Sequence, residues 1–228
     1  SPDFICIRFE GANPDGENKS PEECAELAKR LAEEIDIPLV IAGCENNDKN
    51  AKIFTKIAEA IPEKRYVFLS AVEANYKEVG AAVGLAYGNI VSAESSVDLN
   101  LAKQLNILIT QLGVKPENMV MNPGSAAVGY GFEYALTTMD RIKLAALDQN
   151  DTTLQIPMII PVSFETWKVK ESIASVEDEP QWGSTEDRGI AMEISTAVGV
   201  LAAGANAVIL RHPRSVEVIR QFINELSE

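Results

Sequence analysis

The sequence is poor in residues that bind metals through nitrogen or sulfur. Histidine occurs once, as His212, and cysteine three times, as Cys6, Cys24 and Cys44. A single histidine excludes a multi-histidine metal site and any Ser-His-Asp arrangement that does not use it. The cysteines are an odd set without close spacing, so we predict neither a disulfide framework nor a CxxC metal site, but reduced and mostly buried thiols. Iron-sulfur clusters usually need four thiolates, so we expect none on this chain alone.

Positive charge is also scarce. Thirty-four acidic residues against twenty basic ones give a formal net charge of −14. This charge repels nucleic acid phosphates and anionic lipid heads, so we expect neither as a partner. No apolar stretch reaches the roughly 20 residues of a membrane span, and no secretory signal opens the sequence, which together predict a cytoplasmic protein.

The sequence also lacks a recognisable linker. Serine, glycine and proline form no long low-complexity run, and charge is spread along all 228 residues. With 46% hydrophobic residues available for a core, we predict one large α/β domain over residues 1–228.

Seven short apolar runs with the character of buried strands alternate with helical patterns. They are Phe4–Arg8, Leu39–Ala42, Tyr66–Leu69, Ile90–Ala93, Met119–Met121, Met158–Ile160 and Ala207–Leu210. Helix starts carry caps, such as Ser20 before Pro21 and Asp98 before the helical pattern that runs to Leu112. This alternation predicts seven βα units around a parallel sheet.

The number of units favours a barrel. Eight βα units close a TIM barrel of about 250 residues, whereas an open doubly wound sheet usually carries a glycine-rich nucleotide fingerprint that is missing here. We therefore predict an α/β fold of the TIM (βα)8-barrel type. Only residues 1–3 precede the first strand, from which we infer that the first βα unit is lacking or truncated. A complete seven-stranded open α/β sheet is the alternative.

Loops after the carboxyl ends of barrel strands carry the chemistry of this fold. The most distinctive is Asn122–Tyr134, whose three glycines and two alanines allow close approach of another molecule. We interpret it as a ligand-facing or partner-facing loop, with a tight βα turn as the structural alternative. Its spacing matches neither a P-loop nor GxGxxG, which argues against nucleotide binding.

Two further segments are candidates for contacts. Arg211-His212-Pro213 ends the last strand, where it could bind an anion or the edge of a cofactor. Equally, Arg211 could pair with a surface acid and His212 could hydrogen-bond locally. The polar insertion Ser175–Asp187, around Trp182, is longer than most connections and is either a contact loop or disordered. No convergent pair of carboxylates is evident, so we predict no catalytic residue.

Short motifs spread over nearly the whole chain point to one family. They are Pro38-Leu39-Val40, Gly43-Cys44, Asn75-Tyr76-Lys77, Asp98-Leu99-Asn100, Lys103–Leu108, Gly129-Tyr130-Gly131, Glu133-Tyr134, Met139 with Arg141-Ile142, Trp182-Gly183, Arg188-Gly189 and Arg211-His212-Pro213. As a set they resemble the small subunit of the corrinoid/iron-sulfur protein, called delta in the acetyl-CoA decarbonylase/synthase complex. Family members carry additional sequence before this segment, including a first strand. Asn122 stands where the family usually has aspartate, and Ser95-Ser96 replace a more typical Ser-Pro.

The resemblance implies a heterodimer with a larger subunit that carries the corrinoid and the iron-sulfur cluster. Through that corrinoid, a methyl group passes from a methyl-tetrahydropterin methyltransferase to acetyl-CoA synthase/carbon monoxide dehydrogenase in the reductive acetyl-CoA pathway. This chain lacks the DxHxxG corrinoid motif, because Leu210 occupies the aspartate position before His212. The expected subunit is therefore non-catalytic and holds no cofactor or metal alone.

We expect the barrel mouth to cover the corrinoid of the partner. The residues expected to contact this cofactor are Asn122, Ser125, Gly129, Tyr130, Gly131, Arg211 and His212. The rival is a barrel that binds methyl-tetrahydropterin (methyl-tetrahydrofolate or methyl-tetrahydrosarcinapterin) and catalyses transfer itself, with Asp98, Asn100 and Asn122 as ring contacts. An aldolase-like barrel is disfavoured because no lysine lies clearly at a strand end to form a Schiff base.

Overall fold

The backbone alternates between strands and helices in the order that the sequence predicts. The computed structural model describes residues 2–227, so Ser1 and Glu228, the ends of the predicted domain, lie outside the described residues. The strands are β1 (Ile5–Arg8), β2 (Leu39–Ala42), β3 (Val67–Ala71), β4 (Ile90–Glu94), β5 (Met119–Asn122), β6 (Ile159–Ile160) and β7 (Ala207–Val208). All seven predicted strands are confirmed, each with bounds within two residues of the prediction.

Helices follow the strands. They are α1 (Pro21–Glu34), α2 (Asn47–Ala60), α3 (Tyr76–Val79), α4 (Leu99–Gln111), α5 (Phe132–Leu147), α6 (Val162–Thr166), α7 (Lys170–Ile173), α8 (Thr185–Ala202) and α9 (Pro213–Ser227). A π-helix over Gly80–Ala86 continues α3. Within the described residues, no helix is both long and apolar enough to cross a membrane.

The described residues form two compact units. One comprises residues 2–95 and 100–121, and the other comprises residues 96–99 and 122–227. The organisation of residues 1–228 as one domain stays a prediction of the sequence.

The first unit is built on a parallel sheet with strand order β1-β2-β3-β4-β5. Strand β2 is buried at every position, as expected for an apolar run covered on both faces. Helix α2 packs against the sheet, where the Phe54 ring meets the Phe68 ring edge-on with centroids 5.5 Å apart. Both side chains are fully buried, and each such burial contributes about 1.5–3 kcal/mol to folding.

Helix α1 begins at the cap that the sequence predicts. The Ser20 hydroxyl accepts a hydrogen bond from the Glu23 amide at 3.2 Å, and the Glu23 carboxylate accepts one from the Ser20 amide at 2.7 Å. The hydrogen bonds from Ser20 hold the pKa of Glu23 below its usual value. This reciprocal capping box satisfies two N–H groups that the helix itself leaves unpaired.

The three cysteines are free thiols, as predicted. Cys24 and Cys44 are buried, and burial raises the pKa of Cys24. Cys6 is partly exposed as a residue, yet burial of its thiol raises the pKa to about 12. A thiol with a raised pKa stays protonated and unreactive near neutral pH.

The turn from β2 into α2 depends on one buried amide. The Asn50 side chain accepts a hydrogen bond from the Cys44 N–H and donates one to the Cys44 carbonyl, each at 2.8 Å. This side chain lies so close to Gly43 that a β-carbon at residue 43 would clash with it. Glycine at position 43 is therefore required by the space that Asn50 occupies.

The second unit contains the parallel pair β6 and β7, with Ile159 opposite Ala207 and Ile160 opposite Val208. Helix α8 is capped by Ser184, whose hydroxyl accepts a hydrogen bond from the Asp187 amide at 3.0 Å. The insertion before it is folded, with a short 3-10 helix over Pro180–Trp182. Lys170 and Arg188 both lie over the Trp182 ring, at 5.0 and 5.7 Å from its centroid. These cation–π contacts fix the insertion against α7 and α8.

The substitution Gly43→Ala tests the packing at the turn into α2. The added methyl group displaces the Asn50 amide and breaks its two hydrogen bonds to Cys44, so we expect the free energy of unfolding to fall by about 2–3 kcal/mol. Urea unfolding followed by far-UV circular dichroism measures this loss. Gly16→Ala is the matched control, because its nearest neighbour is an oxygen 3.6 Å away, and we expect a change within about 0.5 kcal/mol. Equal midpoints for the two variants would contradict the role of Asn50.

Candidate functional site

The seven residues selected from the sequence all lie in the second unit, on two segments. Asn122 is the last residue of β5, Ser125 and Gly129-Tyr130-Gly131 lie in the β5–α5 connection, and Arg211-His212 lies between β7 and α9. In each case the segment follows the carboxyl end of a strand. The structure therefore groups these residues on loops of the kind that the fold uses for binding.

The β5–α5 connection starts with a turn closed by Asn122. The buried Asn122 side chain accepts a hydrogen bond from the Gly124 amide at 3.1 Å. Gly124 has a φ of +96°, and a β-carbon there would lie 2.8 Å from the Val97 backbone nitrogen. Val97 in turn donates its N–H to the Pro123 carbonyl at 2.7 Å. The Asn122 oxygen thus shapes the loop.

Ser125 contributes a shielded hydroxyl. Its Oγ atom is inaccessible to solvent and has no hydrogen-bond partner within residues 2–227. A buried hydroxyl without a partner costs about 1–3 kcal/mol, and because this oxygen is shielded it does not face a docking molecule.

The glycine-tyrosine part of the loop is held by one side-chain hydrogen bond. Gly129 and Gly131 have φ values of +85° and +81°, a region that glycine adopts without strain. Between them, the Tyr130 hydroxyl donates to the Glu171 carboxylate at 2.7 Å. This bond raises the pKa of Tyr130 and lowers the pKa of Glu171. Tyr130 is 47% exposed and Tyr134 68% exposed, so both present aromatic surface to solvent.

The other segment is anchored by a residue that sequence reasoning missed. Glu193 of α8 is fully buried and accepts a hydrogen bond from the Arg211 N–H at 2.7 Å and from the His212 N–H at 3.2 Å. Each carboxylate oxygen takes one donor. The only sequence signal was a single acidic residue inside the otherwise apolar stretch Ile190–Ile194.

The His212 ring uses both of its nitrogens locally. The Arg214 N–H donates to Nδ1 at 3.1 Å, which caps the start of α9. Since Nδ1 is therefore an acceptor, we assign the ring proton to Nε2, which lies 3.1 Å from the Glu186 carboxylate. The imidazole consequently has no nitrogen lone pair free to bind a metal or to act as a general base.

Trp167, which follows α6, completes this part of the site. The Arg211 guanidinium lies over its ring at 5.3 Å from the centroid, and the His212 ring stacks near it at 6.1 Å with a 23° angle between the planes. Gly189 of α8 leaves room for the indole, because a β-carbon there would clash with it. The guanidinium is exposed and makes no ion pair within the part of the chain that the structure describes. Examining the segment after β6 could have identified Trp167, since it follows the carboxyl end of that strand.

One face of α8 positions both segments. Gly189 receives the Trp167 ring, and Glu193 holds the Arg211-His212 backbone. About one turn beyond Glu193, the Thr196 hydroxyl accepts a hydrogen bond from the Val128 N–H at 3.2 Å. Residues spaced by three and four positions share a helix face, so α8 fixes where the loop and the Arg211-His212 pair lie.

This site offers hydrogen-bond donors and exposed aromatic surface. Within the described residues, no group of three or more His, Cys, Asp or Glu side chains could hold a metal ion. Of the residues that would contact a pterin in the rival interpretation, Asp98 and Asn100 are exposed beside the start of α4, and Asn122 is buried in its turn.

Solved structures share the fold of this chain. Dihydropteroate synthase of Xanthomonas albilineans with 4-aminobenzoic acid gives a TM-score of 0.63 at 12% identity, covering 99% of this chain and 80% of that chain. The Yersinia pestis enzyme with a pterine-sulfa conjugate gives 0.54 at 14% identity, with coverages of 96% and 83%. These enzymes are TIM barrels, so the predicted α/β TIM-barrel class is confirmed, and the open-sheet alternative is set aside.

Curated relatives are more similar in sequence. Subunit delta of the acetyl-CoA decarbonylase/synthase complex of Methanosarcina mazei is 31% identical over 229 residues, covering 98% of this chain and 52% of the relative. The delta subunit of Methanocaldococcus jannaschii is 30% identical over 221 residues, with coverages of 96% and 53%. The chain thus spans about half the length of the curated relatives it matches.

A family model gives the same assignment as the resemblance read from the motifs. The model for the CO dehydrogenase/acetyl-CoA synthase delta subunit matches residues 1–222, nearly the whole chain. The chain therefore belongs to the CO dehydrogenase/acetyl-CoA synthase delta subunit family.

Proposed function

We propose that this chain is a non-catalytic subunit that docks on a larger, corrinoid-carrying partner and covers one face of its corrinoid. The corrinoid and the iron-sulfur cluster belong to that partner. The assembly serves methyl transfer from a methyl-tetrahydropterin methyltransferase to acetyl-CoA synthase/carbon monoxide dehydrogenase. Membership of a delta subunit family whose curated relatives are parts of a complex supports this proposal.

The observation that carries the proposal is the exposed Arg211 guanidinium over Trp167. Arginine donates to amide and phosphate oxygens through a rigid fork, and a corrinoid carries amide side chains and a phosphate at its rim. The ring contact with Trp167, at 5.3 Å, holds the guanidinium in place while leaving its N–H groups available.

The β5–α5 loop fits the same ligand. The exposed Tyr130 ring offers a flat apolar surface. The corrinoid, when held by the partner, supplies the metal that carries the methyl group. In this proposal Tyr130 and Arg211 bind at its edge and exclude water from it, and no residue of this chain takes part in bond making.

The second candidate function is direct binding of a methyl-tetrahydropterin by the barrel itself. It is favoured by the shared fold with dihydropteroate synthase, which has been solved with a pterine-sulfa conjugate. Asp98, Asn100 and Asn122 would then contact the pterin ring. Against it, the Asn122 oxygen is already engaged by the Gly124 amide.

The substitution Arg211→Ala tests the docking proposal. Removing the guanidinium deletes charge-assisted hydrogen bonds, so we expect the dissociation constant for the purified corrinoid subunit to rise about tenfold to a hundredfold. Analytical gel filtration and surface plasmon resonance measure the complex. Arg30→Ala, an exposed arginine of α1, is the matched control and should bind like the parent chain. The proposal is abandoned if the parent chain does not co-elute with the corrinoid subunit.

Isothermal calorimetry with methyl-tetrahydrofolate and with methyl-tetrahydrosarcinapterin separates the two functions. We expect no binding heat from the isolated chain, because the polar residues of the rival site are exposed or already bonded. Saturable binding that Asn122→Ala abolishes would instead support the pterin-binding enzyme.

The substitution Tyr130→Phe tests how the loop is held, through its pH dependence. Because the pKa of Glu171 is lowered, the hydrogen bond from Tyr130 to the Glu171 carboxylate is present above the ordinary pKa of a carboxyl group. It is lost as the pH falls through the lowered pKa of Glu171. Because the pKa of Tyr130 is raised, the same hydrogen bond is present below the ordinary pKa of a phenol. It is lost as the pH rises through the raised pKa of Tyr130. We therefore expect Tyr130→Phe to speed amide exchange in residues 124–134 severalfold near neutral pH and to have no effect at either extreme. Tyr134→Phe, which removes an exposed hydroxyl, should leave exchange unchanged at every pH; a pH-independent effect of Tyr130→Phe would contradict the assignment.

A further inference from the structure

We propose that Glu193 is the positioning residue of this site, setting the direction in which Arg211 leaves the backbone. This inference rests on the proposed function in one respect, the identity of the ligand that Arg211 contacts. The positioning of Arg211 by Glu193 does not depend on the proposed function. Glu193 touches neither solvent nor the expected ligand, so it acts through Arg211 and His212.

The burial of Glu193 is the first step. Its side chain is fully buried on α8, close in sequence to Ile190 and Ala197, which are also buried. An ionised carboxylate in such surroundings is strongly destabilising unless hydrogen-bond donors satisfy it. No ion pair to Glu193 occurs among the residues that the structure describes, and the donors are the N–H groups of Arg211 and His212.

Stability alone does not explain this choice of residue. An apolar side chain of similar length would pack against the same neighbours without the desolvation penalty, although it would leave the Arg211 and His212 N–H groups without this acceptor. Arg211 is exposed and the His212 side chain is 26% exposed, so the N–H groups lie at the edge of the core. The carboxylate fixes the orientation of the backbone, because its two oxygens accept hydrogen bonds from two consecutive peptide N–H groups.

The fixed backbone determines the side-chain contacts. With its peptide held, Arg211 projects over the Trp167 ring, and the His212 Nδ1 atom reaches the Arg214 N–H. Trp167 is itself seated at Gly189, four residues before Glu193 on the same helix. One turn of α8 therefore fixes both the indole and the guanidinium, and the site is set before a partner arrives.

The substitution Glu193→Gln tests this role, because it keeps the shape but replaces one acceptor oxygen with an NH₂ group that faces an N–H donor. We expect the dissociation constant for the corrinoid subunit to rise about tenfold, as for loss of a charged buried hydrogen bond. In a double-mutant cycle, Glu193→Gln should add no further loss once Arg211→Ala is present, since both act on the same guanidinium. Additive losses would mean a merely structural role and overturn the proposal.

A second variant separates positioning from folding. Glu193→Met is apolar and of similar length, but it leaves the Arg211 and His212 N–H groups without their acceptor, so we expect the thermal midpoint to fall. It should also lose the part of binding that depends on Arg211. Asn89→Ala removes a buried hydrogen bond to the Tyr66 amide in the first unit and serves as the matched control for stability loss. Its binding should equal that of the parent chain.

A measurement on the free chain distinguishes failure of this inference from failure of the proposed function. In a Trp182→Phe background, Trp167 is the remaining tryptophan, and its emission reports the contact with Arg211 and His212. We expect Glu193→Gln and Glu193→Met to change this emission and to shift the amide resonances of Arg211 and His212. If both signals stay unchanged, Glu193 does not position the pair. If they change while the parent chain fails to bind the corrinoid subunit, the proposed function is wrong and the positioning role stands.

Discussion

The hydrogen bonds from the Arg211 and His212 backbone to the buried Glu193 carboxylate are the contact on which the candidate site depends. A carboxylate removed from water needs donors, and in the described residues the end of β7 supplies them. Because the donors belong to two consecutive peptides, satisfying the charge also fixes the backbone direction. The position of the Arg211 guanidinium over Trp167 follows from that direction.

Helix α8 extends the same constraint to the other half of the site. Thr196 lies on the face that carries Glu193 and binds the β5–α5 connection through the Val128 N–H. Further along this face, Gly199 makes room for the Phe132 ring, which a β-carbon would approach to 2.5 Å. The glycine-tyrosine loop and the Arg211-His212 pair are thus attached to one rigid element, although the Tyr130 hydroxyl lies at the surface, where it donates an exposed hydrogen bond to Glu171. This combination suits a binding surface whose loops are anchored on α8 and whose exposed Tyr130 side chain can adjust to a partner.

Much of the fold followed from local patterns. Continuous apolar runs such as Leu39–Ala42 predicted buried strands because a parallel strand covered on both faces has no polar positions. Ser20 and Pro21 predicted the start of α1 because a serine cap before a first-turn proline is a signal carried by neighbouring residues. The last two strands were predicted too long, since regular pairing between β6 and β7 covers only two residues in each. Glycines at positions 124, 129 and 131 marked the loop correctly, because their positive φ values are a property of single residues.

The sequence by itself determined the order of strands and helices, the caps, the glycine turns and the family, because each depends on neighbouring residues or on short motifs. Only the tertiary structure decided what Arg211, His212 and Trp182 contact, and that Trp167 and Glu193 belong to the site. Glu193 meets its two donors across separations of 18 and 19 residues, and Tyr130 meets Glu171 across 41. Such contacts depend on how helix faces and strand ends pack together, which no local pattern specifies.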